Sequence, residues 1–416
     1  MSDVKARVFY GWVVVGASFI LSMIVFGTRY SFGVFFTSLE RDFELTRALT
    51  SGIFSAYMVF CIGFAILGGW ALDRYGPRPV VLLMGIFTAL SLILTSQTKY
   101  PWQFFISYSL LFAVGTGAAY TILMSTTSRW FEKKRGLALG IVSAGTGLGT
   151  VVMAPFATYL ITTFDWRMAF IIIGIIAGAI MTALSGWLKK DPADIGALPD
   201  GARIDDDRGE LRGGAYGTQA ISFTLRQALG TRSFWMVGLT WFLWSACLHF
   251  ILTHIVPHAI DLGISPSVAS VVLGLIGFTS IATRLIMGGV SDRVGRRGSA
   301  VVCAIIQAIA ILWLVWSPDL WMLYVFAVAF GAGYGGFDPT TVAIVGDTFG
   351  VANLGMVMGV LIFGWGAGAA VGPALGGFIY DINGSYVAAF IAGAILMLIA
   401  ALLVSLIRRE VDAQID

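Results

Sequence analysis

Long apolar segments follow one another along the whole chain, and short polar loops separate them. A helix needs about 20 apolar residues to cross a membrane, and twelve segments reach that length. One long polar stretch, residues 189–233, divides them six and six. The segments lie at residues 10–38, 49–72, 79–97, 102–127, 136–163, 166–188, 234–260, 266–290, 298–316, 319–345, 353–380 and 384–407. The pattern predicts an all-α polytopic membrane protein with twelve transmembrane helices.

The composition supports this prediction and excludes several classes of protein. Of 416 residues, 58% are hydrophobic and 12% are charged, whereas soluble domains carry about 25% charged residues. The net charge of +3 arises in short loops, so we expect no nucleic-acid partner. The three cysteines lack the spacing of a metal site, and the sequence contains no nucleophile and base at a telling spacing. We therefore predict a protein that is not an enzyme and needs no metal or cofactor.

Lysines and arginines are distributed unequally between the two sides of the predicted bundle. Of 26 such residues, 20 lie on the side of the N-terminus, 4 lie on the other side and 2 lie inside spans. Cytoplasmic loops carry an excess of these residues, so we predict cytoplasmic termini in a multi-pass protein of the cell inner membrane. The first apolar segment exceeds the ~7–15 residues of a signal-peptide core and is interpreted as the first span.

The two halves of the chain repeat one another. Asp73 precedes Asp292 by 219 residues, and Gly140 precedes Gly359 by the same interval. Two like halves place a substrate site between them, near the middle of the membrane. The predicted domains are a six-helix bundle, a cytoplasmic linker with room for a short amphipathic helix near residues 223–229, and a second six-helix bundle, at residues 1–188, 189–233 and 234–416.

The most specific repeated feature is the stretch 68–78, G-G-W-A-L-D-R-Y-G-P-R, which recurs at 288–297 as G-G-V-S-D-R-V-G-R-R. We interpret both stretches as short hinge loops. With them, the chain resembles the major facilitator superfamily over nearly its whole length. That resemblance implies that the loops latch the two halves together on the cytoplasmic side. A loop that only sets the topology is the alternative. The implied latch residues are Asp73, Arg74, Asp292 and Arg293.

A second motif narrows the resemblance. The stretch 129–140, R-W-F-E-K-K-R-G-L-A-L-G, is similar to the entry of the fifth span in monocarboxylate transporters and in the bacterial oxalate:formate antiporter. In both groups an arginine of the eighth span binds the substrate carboxylate, which implies this role for Arg284. Residues 362–368 lack the second cation of the oxalate antiporter, which favours a monoanion. Ser280 stands where mammalian monocarboxylate transporters have a proton-coupling aspartate, so we expect the proton carrier elsewhere.

Arg284 is a full charge inside an apolar segment, where it must meet protein, water or an anion. Asp338 is the one acid that we place within a span. Arg284 lies eight residues before Asp292 and Asp338 lies eight residues before Gly346, so their depths match. We hypothesise that Asp338 pairs with Arg284 when substrate is absent or carries the coupled proton. A permanent structural ion pair is the alternative.

Four further side chains are candidates for the substrate site. Tyr120 and Tyr334 lie in glycine-rich stretches at central depth, where each could offer a hydroxyl to a carboxylate. Phe363 and Trp365 could form an apolar wall for a short alkyl chain. Ordinary packing in the protein core is the alternative for all four.

Arg29 and the histidines are candidates for anion attraction and proton transfer. Arg29 lies nineteen residues into the first span, near its predicted outer end, where it either attracts anions or extends to the membrane interface. The histidines titrate near neutral pH and are candidates for a proton relay, with ordinary interfacial histidines or a metal site as the alternatives. They are His249, His254 and His258.

We predict a secondary transporter that moves a small monocarboxylate, of lactate or pyruvate size, by alternating access in symport with a proton. A carboxylate:carboxylate antiporter is the closest alternative. A membrane-bound enzyme or a receptor is a further alternative from a different class, although the sequence shows no soluble domain for either. The expected partners are the anion, the proton and the lipid bilayer, and we expect a monomer.

Overall fold

The computed structural model describes residues 9–131, 134–198, 200, 223–350 and 354–408. Within these ranges the regular structure is helical, and twelve helices are long and apolar enough to cross a membrane. The predicted all-α fold with twelve spans is therefore confirmed. In chain order the helices are α1 Tyr10–Asp42, α2 Arg47–Tyr75, α3 Pro77–Ser96, α4 Pro101–Trp130, α5 Arg135–Thr163, α6 Trp166–Ser185, α7 Arg232–Asp261, α8 Pro266–Val294, α9 Arg296–Trp313, α10 Leu320–Phe349, α11 Leu354–Asn383 and α12 Val387–Leu406.

The two predicted hinge loops are mostly helical, so their predicted extent was wrong. α2 continues through Asp73 to its last residue, and α8 continues in the same way. One glycine then separates each helix from the next, Gly76 with φ 78° and Gly295 with φ 104°. Glycine adopts positive φ at little cost, so one residue is enough for the turn. The polar residues mark the membrane surface, which a helix can cross without ending.

Two short helices of the linker are described. Residues Pro192–Ile195 form a 3₁₀ helix, and Leu225–Leu229 form an α-helix. The second helix begins after Thr224, whose hydroxyl accepts a hydrogen bond from the Gln227 backbone nitrogen at 3.4 Å. A capping threonine of this kind fixes the start of a helix, and the result agrees with the helix expected near residues 223–229. The acidic run at 205–207 lies outside the described residues.

Equivalent helices pack alike in the two halves, because α1 packs on α5 and α7 packs on α11. Gly149 lies so close to α1 that a Cβ there would be 2.8 Å from the Gly27 nitrogen. Gly368 lies similarly against α7, where a Cβ would be 3.0 Å from the Ala246 nitrogen. Small residues at these positions let the helix backbones approach closely.

The main helix pairs that join the halves are α2 with α11 and α5 with α8, and the second part of α1 also packs on α7. In the second pair a Cβ added to Gly277 would lie 2.7 Å from the Gly147 oxygen. We call the side where α1 begins and α12 ends the termini face, and the other side the opposite face. The central space between the two pairs is where the repeat predicts a substrate site.

Candidate functional site

A central cavity of about 160 Å³ lies between the two halves. Helices α1, α2, α4 and α5 line it from the first half, and α7, α8, α10 and α11 line it from the second. Its volume is below the roughly 300–1,000 Å³ of sites for drug-sized ligands, and it therefore suits a solute of few atoms. Its chemically distinctive lining residues are Arg29, Cys61, Tyr120, Arg284, Tyr334 and Asp338.

Arg284 joins the two halves at this cavity. Its Nη2 lies 3.2 Å from Asp338 Oδ2 and donates to the Tyr334 hydroxyl at 2.7 Å. Its Nη1 donates to the hydroxyl of Ser143, in α5 of the other half, at 2.7 Å. The buried Nε has no hydrogen-bond partner among the described residues. Because a guanidinium has five N–H donors, Arg284 keeps donor capacity for an incoming carboxylate.

Glycines in α10 bring the acid and the tyrosine to Arg284. Tyr334 and Asp338 lie one helical turn apart on α10 and therefore share a face. Between them, a Cβ at Gly335 would lie 2.7 Å from the Ser280 Cα of α8. This close approach of α8 and α10 places both side chains within reach of Arg284. The sequence placed Arg284 and Asp338 at equal depth, and the structure brings them into contact.

Arg29 lines the same cavity, so its predicted place near the outer end of the first span was wrong. Its side chain is buried. Nε donates to the Tyr57 hydroxyl at 2.7 Å, and Nη2 donates to the backbone oxygen of Thr116 at 3.3 Å. The depth estimate failed because α1 runs on to Asp42. No acid pairs with Arg29 in the described part of the chain. The cavity therefore holds two arginines and one aspartate.

The aromatic candidates divide between the cavity and the surface. Tyr120 and Trp365 line the cavity. Phe363 is 48% exposed and is not among the lining residues, so its predicted place in the wall was wrong. In α11 the lining residues are Ile362, Trp365 and Gly366, with the three- and four-residue spacing of one helix face. Phe363 lies on a different face because neighbouring residues are rotated by roughly 100° along a helix.

The histidines lie outside the cavity lining. The His249 ring is 5.1 Å from the Trp365 ring, and its Nδ1 lies 2.9 Å from the Ser245 oxygen. His254 is buried, with Nδ1 2.9 Å from the Tyr386 hydroxyl and Nε2 2.9 Å from the Pro373 oxygen. Two satisfied ring nitrogens hold His254 in one orientation. Neither histidine belongs to a cluster that could bind a metal ion within the described ranges.

A network of charges, absent from our sequence analysis, joins the halves at the opposite face. The Arg47 guanidinium binds Asp261 through two bonds, with Nη1–Oδ2 2.6 Å and Nη2–Oδ1 2.7 Å. Nη1 also donates to the Tyr386 hydroxyl at 2.8 Å, and Nε donates to Glu40 Oε1 at 3.2 Å. The Arg47 backbone nitrogen donates to Asp381 Oδ1 at 2.9 Å. We call these five residues the opposite-face cluster.

The opposite-face cluster left a signal in the sequence that we did not use. Arg47 is one of the four basic residues that the sequence places on the side away from the N-terminus, and the structure shows it as the first, buried residue of α2. Glu40, Asp261 and Asp381 lie in the last turns of α1, α7 and α11. Acids are disfavoured at the C-terminal end of a helix by the helix dipole. Three such acids at one face indicate a shared cation.

Burial also affects the protonation of the Tyr386 hydroxyl, which links this cluster to His254. Burial raises the pKa of the Tyr386 hydroxyl, which keeps it protonated. It can therefore accept a hydrogen bond from Arg47 and donate one to His254. The histidine and the opposite-face cluster form one continuous hydrogen-bonded unit.

At the termini face the predicted latch residues of the first stretch, Asp73 and Arg74, make contacts within the first half and with the start of the linker. Asp73 Oδ1 accepts a hydrogen bond from Arg129 Nη2 at 2.8 Å, and the backbone oxygen of Asp73 accepts one from Lys190 Nζ at 2.7 Å. The Arg74 guanidinium lies 5.6 Å from the Trp70 ring. Asp73 therefore pairs with the end of α4, and its hydrogen bonds to described residues lie within the first half and the start of the linker.

The structure describes the second latch stretch, residues 288–297, less fully than the first. Arg293 is exposed, and the side chain of Asp292 lies outside the described residues. Among the described side chains, the ion pair that links the two halves is Arg47–Asp261, at the opposite face. The opposite face is therefore closed in this structure.

Comparisons with known proteins agree with this architecture. The family model described as the Major Facilitator Superfamily matches residues 18–261 and 250–415. Bovine monocarboxylate transporter 13 is 27% identical over 420 residues, which cover 95% of this chain and 89% of the relative. Human monocarboxylate transporter 11 is 26% identical over 404 residues, covering 94% and 81%.

Solved structures show the same fold at low sequence identity. A D-xylose–proton symporter superposes with a TM-score of 0.77 at 13% identity, covering 97% of this chain and 99% of the other. A bacterial homolog of the human lysosomal transporter Spinster, in an inward-facing and unoccupied conformation, has a TM-score of 0.75 at 16% identity, with 99% of each chain covered.

Proposed function

The chain belongs to the Major Facilitator Superfamily, and we propose that it moves a small monocarboxylate across the membrane in symport with a proton. Its family and relatives are membrane transporters, so the chain is a multi-pass transporter and not an enzyme. The proposed substrate has the size of lactate or pyruvate. The observation that carries this proposal is Arg284, held by Asp338 and Tyr334 in a small cavity between the halves.

Substrate binding follows from the contacts of Arg284. An incoming carboxylate replaces Asp338 and binds the guanidinium through two parallel hydrogen bonds, a strong and directional contact. The Tyr334 hydroxyl, already beside Arg284, contacts the same carboxylate or a 2-hydroxyl or 2-oxo group. Tyr120 offers a second hydroxyl, and Trp365 supplies an apolar wall for the alkyl part.

Asp338 is the proposed proton carrier. When a substrate carboxylate takes the place of Asp338 on Arg284, protonation of Asp338 leaves the net charge of the cavity lining and its bound anion unchanged, which avoids a further buried charge. When the substrate leaves, Asp338 returns to Arg284 and releases the proton. His249 and His254 are proposed relays, since His254 joins the opposite-face cluster through Tyr386.

Alternating access completes the proposed cycle. We propose that the termini face is cytoplasmic and that the transporter acts as a monomer in the cell inner membrane. The opposite-face cluster then closes the outside, and its separation opens the cavity outward. The residues proposed to latch the termini face in that outward-open state are Asp73, Arg74, Asp292 and Arg293. Rocking of two six-helix halves around a central site is the general mode of such folds.

Arg29 supports exchange of two carboxylates as a second candidate function. With both arginines charged and Asp338 ionised, the lining of the empty cavity carries a net charge of +1. A buried net charge is costly, so the empty carrier would resist reorientation, whereas a bound monoanion neutralises the lining. Under this alternative, Arg29→Gln converts obligatory exchange into net transport.

Uptake of labelled lactate into proteoliposomes tests the proposal. The interior is made alkaline, and Arg284→Ala is compared with Arg226→Ala, which changes an exposed linker arginine. We expect gradient-driven accumulation in the wild type and in Arg226→Ala, and loss of at least about 100-fold in Arg284→Ala, since a charged hydrogen-bonded contact contributes about 1.5–3 kcal/mol and two such bonds are removed.

Two other results would redirect the proposal. Rapid lactate exchange with preloaded carboxylate, without gradient-driven accumulation, would support the antiporter. Equal uptake by Arg284→Ala and the wild type would remove Arg284 from the site and overturn the proposal.

A further inference from the structure

A second pocket, of about 470 Å³, lies on the termini face, apart from the transport cavity. It is formed by the start of α9, the end of α10 and Arg408, the second residue after α12. Three arginines and one aspartate line it, a net formal charge of +2. They are Arg296, Arg297, Arg408 and Asp347.

The positive end of the helix dipole at the start of α9 is not compensated by an acid of its own helix. The helix is 18 residues long, its cap residue Gly295 offers no side chain, and its first turn contains no acid. Arg296 and Arg297 instead add positive charge where the helix dipole is already positive, which is unfavourable without a nearby anion. Asp347 compensates Arg296 through a 2.7 Å ion pair. Arg297 and Arg408 have no acidic partner among the described residues.

Thr348 provides an independent observation at the same pocket. Its side chain is fully buried and forms part of the pocket wall, yet its hydroxyl has no hydrogen-bond partner among the described residues. A buried hydroxyl without a partner costs free energy. An anion with several acceptor oxygens would satisfy this hydroxyl, the free backbone N–H groups of α9 and both arginines together.

We propose that this pocket binds a phosphate group. A phosphate has the charge and the acceptor oxygens that this donor set requires, and the start of a long helix is a ready-made anion site. The pocket lies where α9 begins and α12 ends, which is the level of lipid headgroups in a membrane-spanning bundle. Basic pockets between transmembrane helices bind anionic headgroups in this position. A lipid headgroup and free inorganic phosphate are the two sources of this chemistry.

Lipid binding to the full-length protein in detergent tests the proposal. Native mass spectrometry measures the apparent Kd of phosphatidylglycerol, with phosphatidylcholine as the uncharged comparison and inorganic phosphate as the competitor. The variants are Arg297→Gln, Arg408→Gln and Thr348→Val. The matched control is Arg78→Gln, which removes the equivalent exposed arginine at the start of α3.

We expect each arginine variant to weaken phosphatidylglycerol binding by about fivefold, while Arg78→Gln binds like the wild type. Thr348→Val should weaken binding too, yet leave the thermal midpoint of the lipid-free protein unchanged or raised, because it removes an unsatisfied buried hydroxyl. Weaker lipid binding without a lower thermal midpoint shows that Thr348 contacts the ligand, whereas a folding defect would lower both.

The competitor identifies the source of the phosphate. Retention of phosphatidylglycerol in millimolar inorganic phosphate assigns the pocket to a headgroup, and its displacement assigns the pocket to free phosphate. Unchanged binding in the arginine and Thr348→Val variants, or an equal loss in Arg78→Gln, would overturn the proposal.

Discussion

Arg284 and Asp338 are the residues on which proton coupling is proposed to depend, since they lie 3.2 Å apart with the carboxylate partly exposed. Asp338→Asn keeps the shape and a hydrogen-bond acceptor but removes the charge and the site of protonation. We expect substrate exchange to continue, because Arg284 no longer has a competing carboxylate. Gradient-driven accumulation should fall by at least about tenfold, because no proton is carried. Proteoliposome uptake and counterflow measure the two activities separately.

Asp338→Glu is the matched control, because it restores the titratable group on a longer side chain. Partial recovery of accumulation in this variant would assign the loss to the missing proton site. Unchanged accumulation in Asp338→Asn would remove Asp338 from the coupling step and leave it as a structural partner of Arg284.

At the residue scale, the sequence predicted the central charges better than their surroundings. A charge inside an apolar segment must be paired, and depth along a helix follows from a fixed rise per residue. The contact between Arg284 and Asp338 could therefore be predicted from the sequence. Arg29 was misplaced because its depth was measured against a helix end that lies four residues further on. Phe363 was misplaced because one residue of error on a helix rotates a side chain by roughly 100°.

The approach of α8 to α10 is the element-scale feature that assembles the site. A Cβ at Gly335 would collide with the Ser280 backbone, so Gly335→Ala forces the two helices apart. Overpacking of this kind costs about 1–3 kcal/mol. We expect a lower thermal midpoint and a loss of substrate binding, because Tyr334 and Asp338 move with α10.

Gly359→Ala is the control for that variant. Gly359 lies within α11 and has no atom near the position of an added Cβ, so alanine should stabilise the helix by about 0.5–1 kcal/mol. If Gly335→Ala and Gly359→Ala have the same thermal midpoint and the same uptake rate, the close packing of α8 and α10 is dispensable.

Helix identity could be predicted from apolar length, but helix ends could not. The predicted spans match the observed helices to within a few residues, because the bilayer sets the length that must be apolar. The hinge loops were overestimated because polarity indicates contact with water and does not by itself end a helix. Gly76 and Gly295, with positive φ, are the residues that end α2 and α8.

At the scale of the whole molecule, the sequence predicted two related halves and a site between them, but gave little information on what holds the halves together. The opposite-face cluster joins Arg47 to residues of the second half that are at least 214 positions away in the chain, Asp261 being the nearest of them. Periodicity reports only on neighbours along a helix. The relative position of the halves follows from packing across the chain, which a single sequence does not display.

The opposite-face cluster should control the balance between the two access states. Arg47 is buried and holds Asp261, Asp381 and Tyr386 of the second half. Removal of its side chain leaves the carboxylates of Asp261 and Glu40 without their cation, which disfavours the closed opposite face. We expect Arg47→Ala to increase exposure of the cavity from that side by at least about tenfold, a shift of roughly 1.4 kcal/mol.

Cys61 reports this exposure directly, because it lines the cavity and the other cysteines, Cys247 and Cys303, can be replaced by alanine. A membrane-impermeant maleimide is added at the opposite face of reconstituted protein, and the labelling rate is measured. Arg41→Ala is the matched control, since Arg41 lies on the same face but its side chain is 83% exposed. An exposed arginine contributes little, so this variant should label like the wild type. Equal rates in Arg47→Ala and Arg41→Ala would mean that helix packing at α2 and α11, rather than the charge network, keeps the opposite face closed.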